Sequence, residues 1–365
     1  MEKILILINV RWWNATAFYA INTARILNKN GYNVIIGSKN GSPPYKRAAE
    51  YKLHLTDLNF EGFNFFKLIK NFIKMLKIIK ENNISIINAH RSEDHTFAAL
   101  AKLFVPVKFI ITRGDRRKIK TNIFSKMIYN SADKIILTCK SIYNQNKKFL
   151  SPFKDKIYIM HGSADEEHFK ITKSKAKTAR KYKINRRNKI IGIAGRLDYV
   201  KDQYTFVKAA GEVYKKFKKV EFIIAGKQEH IKVEELKSLA QECGVLHKIK
   251  ILPLINDIAD VVNLFDIAII SSVGSETISR VVLEYLYLGK PVIGTNVNVI
   301  PEIVKNNFNG IIIPPKKPKI LANVIIKLLK NPLLLEKMAK NSKIRYNKYF
   351  SEKVFYEQLK RILLQ

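Results

Sequence analysis

A chain of 365 residues is long for one domain and fits two of roughly 150–200 residues. Its hydrophobic content, 47%, is ordinary for a globular protein, and no apolar run approaches the ~20 residues that a membrane-spanning helix needs. A net charge of +36 suits an anionic partner (membrane surface, nucleic acid or phosphorylated substrate) or reflects compositional drift in a chain rich in Lys, Asn and Ile together.

The first ten residues read as a strand with no signal-peptide pattern. Cys139 and Cys243 lie far apart without metal-type spacing, which points to a reducing cytosol. Residues 3–9 are aliphatic with little alternation, as a buried parallel strand requires. A helix over 18–27 is stopped by Asn30-Gly31, and a strand over 32–37 follows. The strand–helix–strand pattern recurs over 84–88, 94–104 and 108–112, with further strands at 135–138 and 157–160. Between these units, residues 66–81 form a basic amphipathic helix with Lys67, Lys70, Lys74, Lys77 and Lys80 at spacings of three and four. Two readings stand for it: a helix on the sheet with a solvated lysine face, or a helix that docks on anionic lipid headgroups. A second basic cluster, Arg113, Arg116, Arg117, Lys118 and Lys120, follows a strand directly, where a member can meet an anionic substrate.

Residues 170–189 are polar and basic, a linker with a surface helix. A strand over 190–194 then leads into Gly195-Arg196, Lys201 and a helix from about Asp202. Strands at 222–226, 248–252, 267–270, 291–294 and 310–314, a helix at 257–263 and a helical tail over 337–364 complete the chain. Alternation of this kind predicts two doubly wound α/β domains, each a parallel sheet with helices on both faces, whose ligands bind at the carboxyl ends of strands.

The second half holds the stretch with the most chemistry, residues 271–295. Ser275 and Ser279 are good helix-start residues, so Glu276 falls in a loop and Glu284 in the second turn of a helix over 279–288. If helical throughout, eight steps at about 100° each would set the two carboxylates about 80° apart. Either they grip sugar hydroxyls beside a helix N-terminus that takes a phosphate, or they are solvated glutamates on a surface helix. Arg196 and Lys201, following the glycine that ends a strand, suit a diphosphate: a planar fork and a point charge. Cations for phosphate and carboxylates for hydroxyls together describe a nucleotide-sugar site.

In chain order, SADKIILT (131–138), HGSADEEHF (161–169), GRLDYVKD (195–202), SETISRVVLEYLYLGKPVIGT (275–295) and IPEIVKNNFNGIIIPPKKP (300–318) resemble the retaining glycosyltransferases of family 4. The resemblance implies the GT-B fold: two Rossmann-like domains facing each other across a cleft. One covers 1–168 on the acceptor side; the other, 169–345, binds the nucleotide sugar; the C-terminal helix, 346–365, crosses back to the first. It implies that Arg196 and Lys201 hold the donor diphosphate, that Glu276 lies by the donor sugar and Glu284 by the ribose, and that Gly195, Ile278 and Ser279 approach the phosphates. Acceptor contacts are expected from Asn14, His90, Arg91, Arg113 and Arg116.

The chain departs from the family where a Gly-Gly turn becomes Asn14-Ala15, where a histidine becomes Gly114, and where Gly-Gly before Ile-Pro-Glu becomes Asn298-Val299. The expectation is a retaining, hexosyl-type glycosyltransferase with no cofactor and no metal, moving a sugar from a nucleotide-diphosphate donor to a glycan or glycolipid acceptor such as lipopolysaccharide core. It would work in the cytoplasm against an anionic membrane surface and would bind no nucleic acid. The rivals are a small-acceptor enzyme of the same fold, a basic nucleic-acid-binding protein and an inactive sugar-nucleotide sensor.

Overall fold

The computed structural model describes residues 2–62, 64–253 and 255–364; Met1 and Gln365, outer limits of the expected first domain and crossing helix, lie outside it. Two compact units emerge, one of residues 1–162 joined by the chain from Phe355 on, the other of Ser163–Val354.

The N-terminal unit is built on seven parallel strands: β1 (Lys3–Leu7), β2 (Asn33–Ser38), β3 (His54–Asp57), β4 (Ile86–Ala89), β5 (Lys108–Arg113), β6 (Lys134–Leu137) and β7 (Ile157–Ile159). Their order is β3-β2-β1-β4-β5-β6-β7. The aliphatic strands β1, β4, β5 and β6 form the buried centre, which is why they read as near-continuous apolar runs. Sequence reasoning missed β3: HLTD has no aliphatic run, and the strand sits half-exposed at the sheet's edge. The helix expected over 94–104 runs instead over Ser92–Ala101. From Phe355 on, the last helix (Glu352–Leu364) packs on this unit, with the Phe355 ring edge-on to Tyr19 at 5.5 Å.

The C-terminal unit has six parallel strands: β8 (Lys189–Ala194), β9 (Val220–Ala225), β10 (Ile249–Leu252), β11 (Ile267–Ile270), β12 (Val292–Thr295) and β13 (Gly310–Ile313), in the order β10-β9-β8-β11-β12-β13. The helices Gln203–Lys216 and Pro318–Leu329 pack together over one face, sealing a core of Ile191, Phe206, Phe222 and Ile325. Glu166 belongs here because its carboxylate accepts hydrogen bonds from the Tyr346 hydroxyl (2.9 Å) and the Glu352 N–H (2.8 Å).

Each order starts in mid-sheet, runs outward to one edge, then returns to grow toward the other. This is the Rossmann pattern, and in each sheet the chain diverges above the gap between the first and fourth strands. Those gaps lie between β1 and β4, and between β8 and β11.

Candidate functional site

The reversal in the C-terminal sheet explains why residues 75 positions apart meet. β8 ends at Ala194 and hands the chain to Gly195, whose φ of +144 only glycine adopts freely. A side chain at the neighbouring Gly226 would strike the Gly195 carbonyl at 2.1 Å, so two glycines let these strand ends close up. β11 ends at Ile270 and hands over to the 271–279 loop. Two bonds tie the strand-end loops together: Val273 N–H donates to Val200 O (2.9 Å), and the Ser271 hydroxyl lies 2.9 Å from both the Lys201 and Asp202 carbonyls.

That frame brings the Lys201 ammonium onto Glu276 Oε1, which also accepts from the Ser272 hydroxyl at 2.6 Å. Glu276 is buried, whereas Lys201 keeps 24% of its side chain exposed. An ammonium has three N–H donors. One serves Glu276, so the others can meet an incoming anion without breaking the pair. Arg196, half-exposed, pairs with Asp198 (3.1 Å) and Glu229 (3.6 Å). Burial works against the Asp198 charge, but the Val200 N–H and the Arg196 guanidinium hold its carboxyl below the usual range.

Glu276 lies in the loop and Glu284 in the second turn of the Arg280–Tyr287 helix, with Ser279 at the N-cap. The carboxylate of Glu284 is buried against Arg280 at 3.0 Å. Burial pushes its pKa up, Arg280 opposes that, and Asp165 adds to it. Tyr285, next to it, accepts a hydrogen bond from Ala194 N–H at 2.6 Å, which anchors this helix over the end of β8. Burial raises the Tyr285 hydroxyl pKa, and the charges of Glu284 and Glu276 raise it further, so both carboxylates act on one phenol.

The backbone here is strained. Asp202, Ser275, Ser279 and Asn298 all have φ between +47 and +54, a region non-glycine residues seldom enter and one that gathers at functional sites. Ser279 makes no side-chain cap bond, and its hydroxyl is buried without a partner among the described residues. Asn298 Nδ2 is likewise buried and unpartnered, while its neighbour Val299 donates its N–H to Glu276 O (3.0 Å). Asn298 thus keeps a glycine-like conformation and adds a donor. An uncapped helix start, a buried orphan hydroxyl and an available ammonium together make an anion cradle.

The structure therefore joins Lys201 to Glu276 directly and gives Arg196 and Glu284 partners of their own. Ile278 is buried in the loop between them. Sequence reading missed Asp198, Ser272 and Arg280, and marked Asn298 only as a departure from the family. For Arg280 a signal existed, the i,i+4 spacing to Glu284; the others needed the fold.

In the N-terminal unit the expected acceptor residues are mostly occupied or enclosed. Asn14 caps the Ala15–Lys29 helix through a bond from Ala17 N–H at 2.9 Å. Arg113 is buried, paired with Asp115 (3.2 Å) and donating to Arg117 O. Arg91 pairs with Glu93 at 3.4 Å, and Arg116 is exposed. His90 is buried with neither ring nitrogen hydrogen-bonded among the described residues, and burial holds its pKa down to about 3.

Residues 174–345 match the family model for glycosyl transferases group 1, and residues 3–139 match glycosyl transferase 4-like. An uncharacterized glycosyltransferase of Methanocaldococcus jannaschii is 26% identical over 221 residues, which is 59% of this chain and 56% of that relative, so the match spans about half the relative's length. A glycosyltransferase structure from Rickettsia africae superposes with a TM-score of 0.86 at 22% identity, covering 99% of this chain and 98% of that one. Anabaena HepE in complex with UDP superposes at 0.84 and 17% identity, covering 100% and 99%.

Proposed function

With a group 1 domain in its C-terminal half and a 4-like domain in its N-terminal half, the chain belongs to the glycosyltransferases of the GT-B fold, and we propose that it moves a sugar from a nucleoside diphosphate donor to a glycan or glycolipid acceptor with retention of configuration. The observation that carries this reading is the Lys201–Glu276 pair at the β8/β11 reversal, beside the uncapped start of the Arg280–Tyr287 helix. Breaking the sugar–phosphate bond puts negative charge on the leaving diphosphate and positive character on the sugar. Lys201, Arg196 and the helix N-terminus stabilise the first; the Glu276 carboxylate faces the second. One such positioned donor is worth about 3–4 kcal/mol. The leaving phosphate takes the acceptor's proton in a front-side attack, so no side chain serves as general base. Glu284, held by Arg280, orients the ribose. The UDP bound to HepE is the chemistry expected in the cradle.

No metal takes part in this scheme, and turnover should survive a chelator. Among the described residues no helix is long and apolar enough to cross a membrane. The basic N-terminal unit is proposed to work at an anionic membrane surface, where a glycolipid acceptor such as lipopolysaccharide core would be presented. A thermal-shift screen against UDP-, GDP- and ADP-sugars tests the donor assignment. One of them should raise Tm in wild type and fail to do so in Lys201→Ala; no response to any would remove the assignment.

A further inference from the structure

Ten of the nineteen large hydrophobic side chains exposed among the described residues lie in one stretch of the N-terminal unit, residues 65–127. Eight sit on three helices packed side by side, Phe65–Glu81 on Ser92–Ala101 and that on Ile123–Ser131, and two lie just past the second. On the first, Phe66 (83% exposed), Ile69 and Ile73 form a helical stripe. Just past the second, Leu103 (77%) and Phe104 project, with Phe104 set 5.8 Å from the Phe72 ring of the first helix. On the third, Phe124 (72%) and Met127 stand one turn apart. Exposed apolar side chains elsewhere are scattered, as on any soluble surface.

Lysines border the apolar rows. Lys67, Lys70, Lys74 and Lys77 are exposed on the first helix, and Lys118, Lys120 and Lys126 lead into or lie on the third. No Asp or Glu occurs between residues 65 and 80 or between 116 and 132. Nearby acids are engaged: Glu81 pairs with Lys77 (3.6 Å), and Asp133 with Lys102 (2.6 Å).

We propose that this three-helix face inserts into an anionic bilayer, with Phe66, Leu103, Phe104 and Phe124 entering the acyl boundary while the lysines meet lipid phosphates. The arrangement matches an interfacial surface: an apolar face, a basic border and long side chains that reach headgroups while their stems stay in the apolar layer. A second copy of the chain fits less well, since it would press two lysine-bordered faces together. The proposal sharpens the membrane part of the reading above, which charge alone would satisfy, and salt separates the two.

The test is flotation of the full chain with vesicles of equimolar phosphatidylcholine and phosphatidylglycerol at about 0.15 M and about 0.5 M salt. Wild type should float at both. The double variant Phe66→Ser/Phe124→Ser, exposed at both sites and expected to keep its fold and donor response, should partition at least about tenfold less at the higher salt. Equal flotation of variant and wild type would overturn insertion while leaving charge-driven docking. No flotation at any salt would overturn both. Light scattering that shows a wild-type dimer abolished by the same substitutions, without flotation, would assign the face to self-association and overturn the proposal.

Discussion

At the reversal between β8 and β11, strand ends present a lysine with donors to spare, a half-exposed arginine and two carboxylates, each beside a cation. At the matching reversal between β1 and β4, the residues are Asn9, His90 and Asp94, and burial works against charge. Burial pushes the Asp94 carboxyl up to about 7 against two hydrogen bonds from Asn9, and holds His90 and His95 at about 3. One topology therefore supports opposite electrostatics. At the first, Glu284 and Glu276 each have a cation in direct contact, and Arg280 opposes the effect of burial on Glu284; at the second, Asp94 has two hydrogen bonds from Asn9 but no cation in contact, and burial outweighs them. On the proposed reading the first reversal meets the charged donor, and the second packs the fold or meets a neutral group.

The comparison can be broken by substitution at either reversal. Lys201→Ala should cost most: kcat should fall by about 10²–10³, and stability should drop as well, because Glu276 stays buried without its partner. Equal kinetics in wild type and variant would show that the C-terminal charges are structural. Glu284→Ala should raise the donor KM by about tenfold with a smaller change in kcat, since it removes a charged hydrogen bond that is present before and during transfer; steady-state kinetics separates the two effects.

At the N-terminal reversal the readout is pH. Asp94 holds its proton up to about pH 7 when folded, whereas unfolded it releases it near the ordinary value of 3.8. The folded state then binds more protons between these values, so this group's stabilisation is full below 3.8 and is lost as pH rises to 7. Asp94→Asn should therefore gain Tm relative to wild type at pH 8 compared with pH 4. A constant difference across that range would show that Asp94 is charged in the fold. The smallest effect is expected from Asn14→Ala, about 1 kcal/mol of stability from the lost cap, with donor binding unchanged; a rise in donor KM would move Asn14 from the frame into the site.

Much of the fold was legible because buried parallel strands must be aliphatic on both faces. IIGIA in β8 and IAII in β11 could scarcely be anything else. The edge strand β3, short and polar, carried no such signal. In the candidate site, Glu276, Glu284, Arg196 and Lys201 were singled out by residue type, order and the family resemblance. Their pairing was not: the Lys201–Glu276 contact depends on β8 and β11 being adjacent, and adjacency is a property of the sheet. The acceptor expectations show the same limit from the other side. Asn14 and Arg113 stand at strand and helix ends where ligands bind, but the Asn14 carbonyl caps its helix and the Arg113 guanidinium pairs with Asp115. Position alone did not reveal these engagements.

The central claim is that the C-terminal unit grips one activated sugar through Lys201, Glu276, Arg196 and Glu284. Calorimetric titration of the nucleotide sugar selected by the thermal-shift screen into wild type, Lys201→Ala, Glu284→Ala and Asp94→Asn tests it most directly. One site per chain is expected, with Kd at least about tenfold weaker in the first two variants and unchanged in Asp94→Asn. Wild-type affinity in both Lys201→Ala and Glu284→Ala would contradict it.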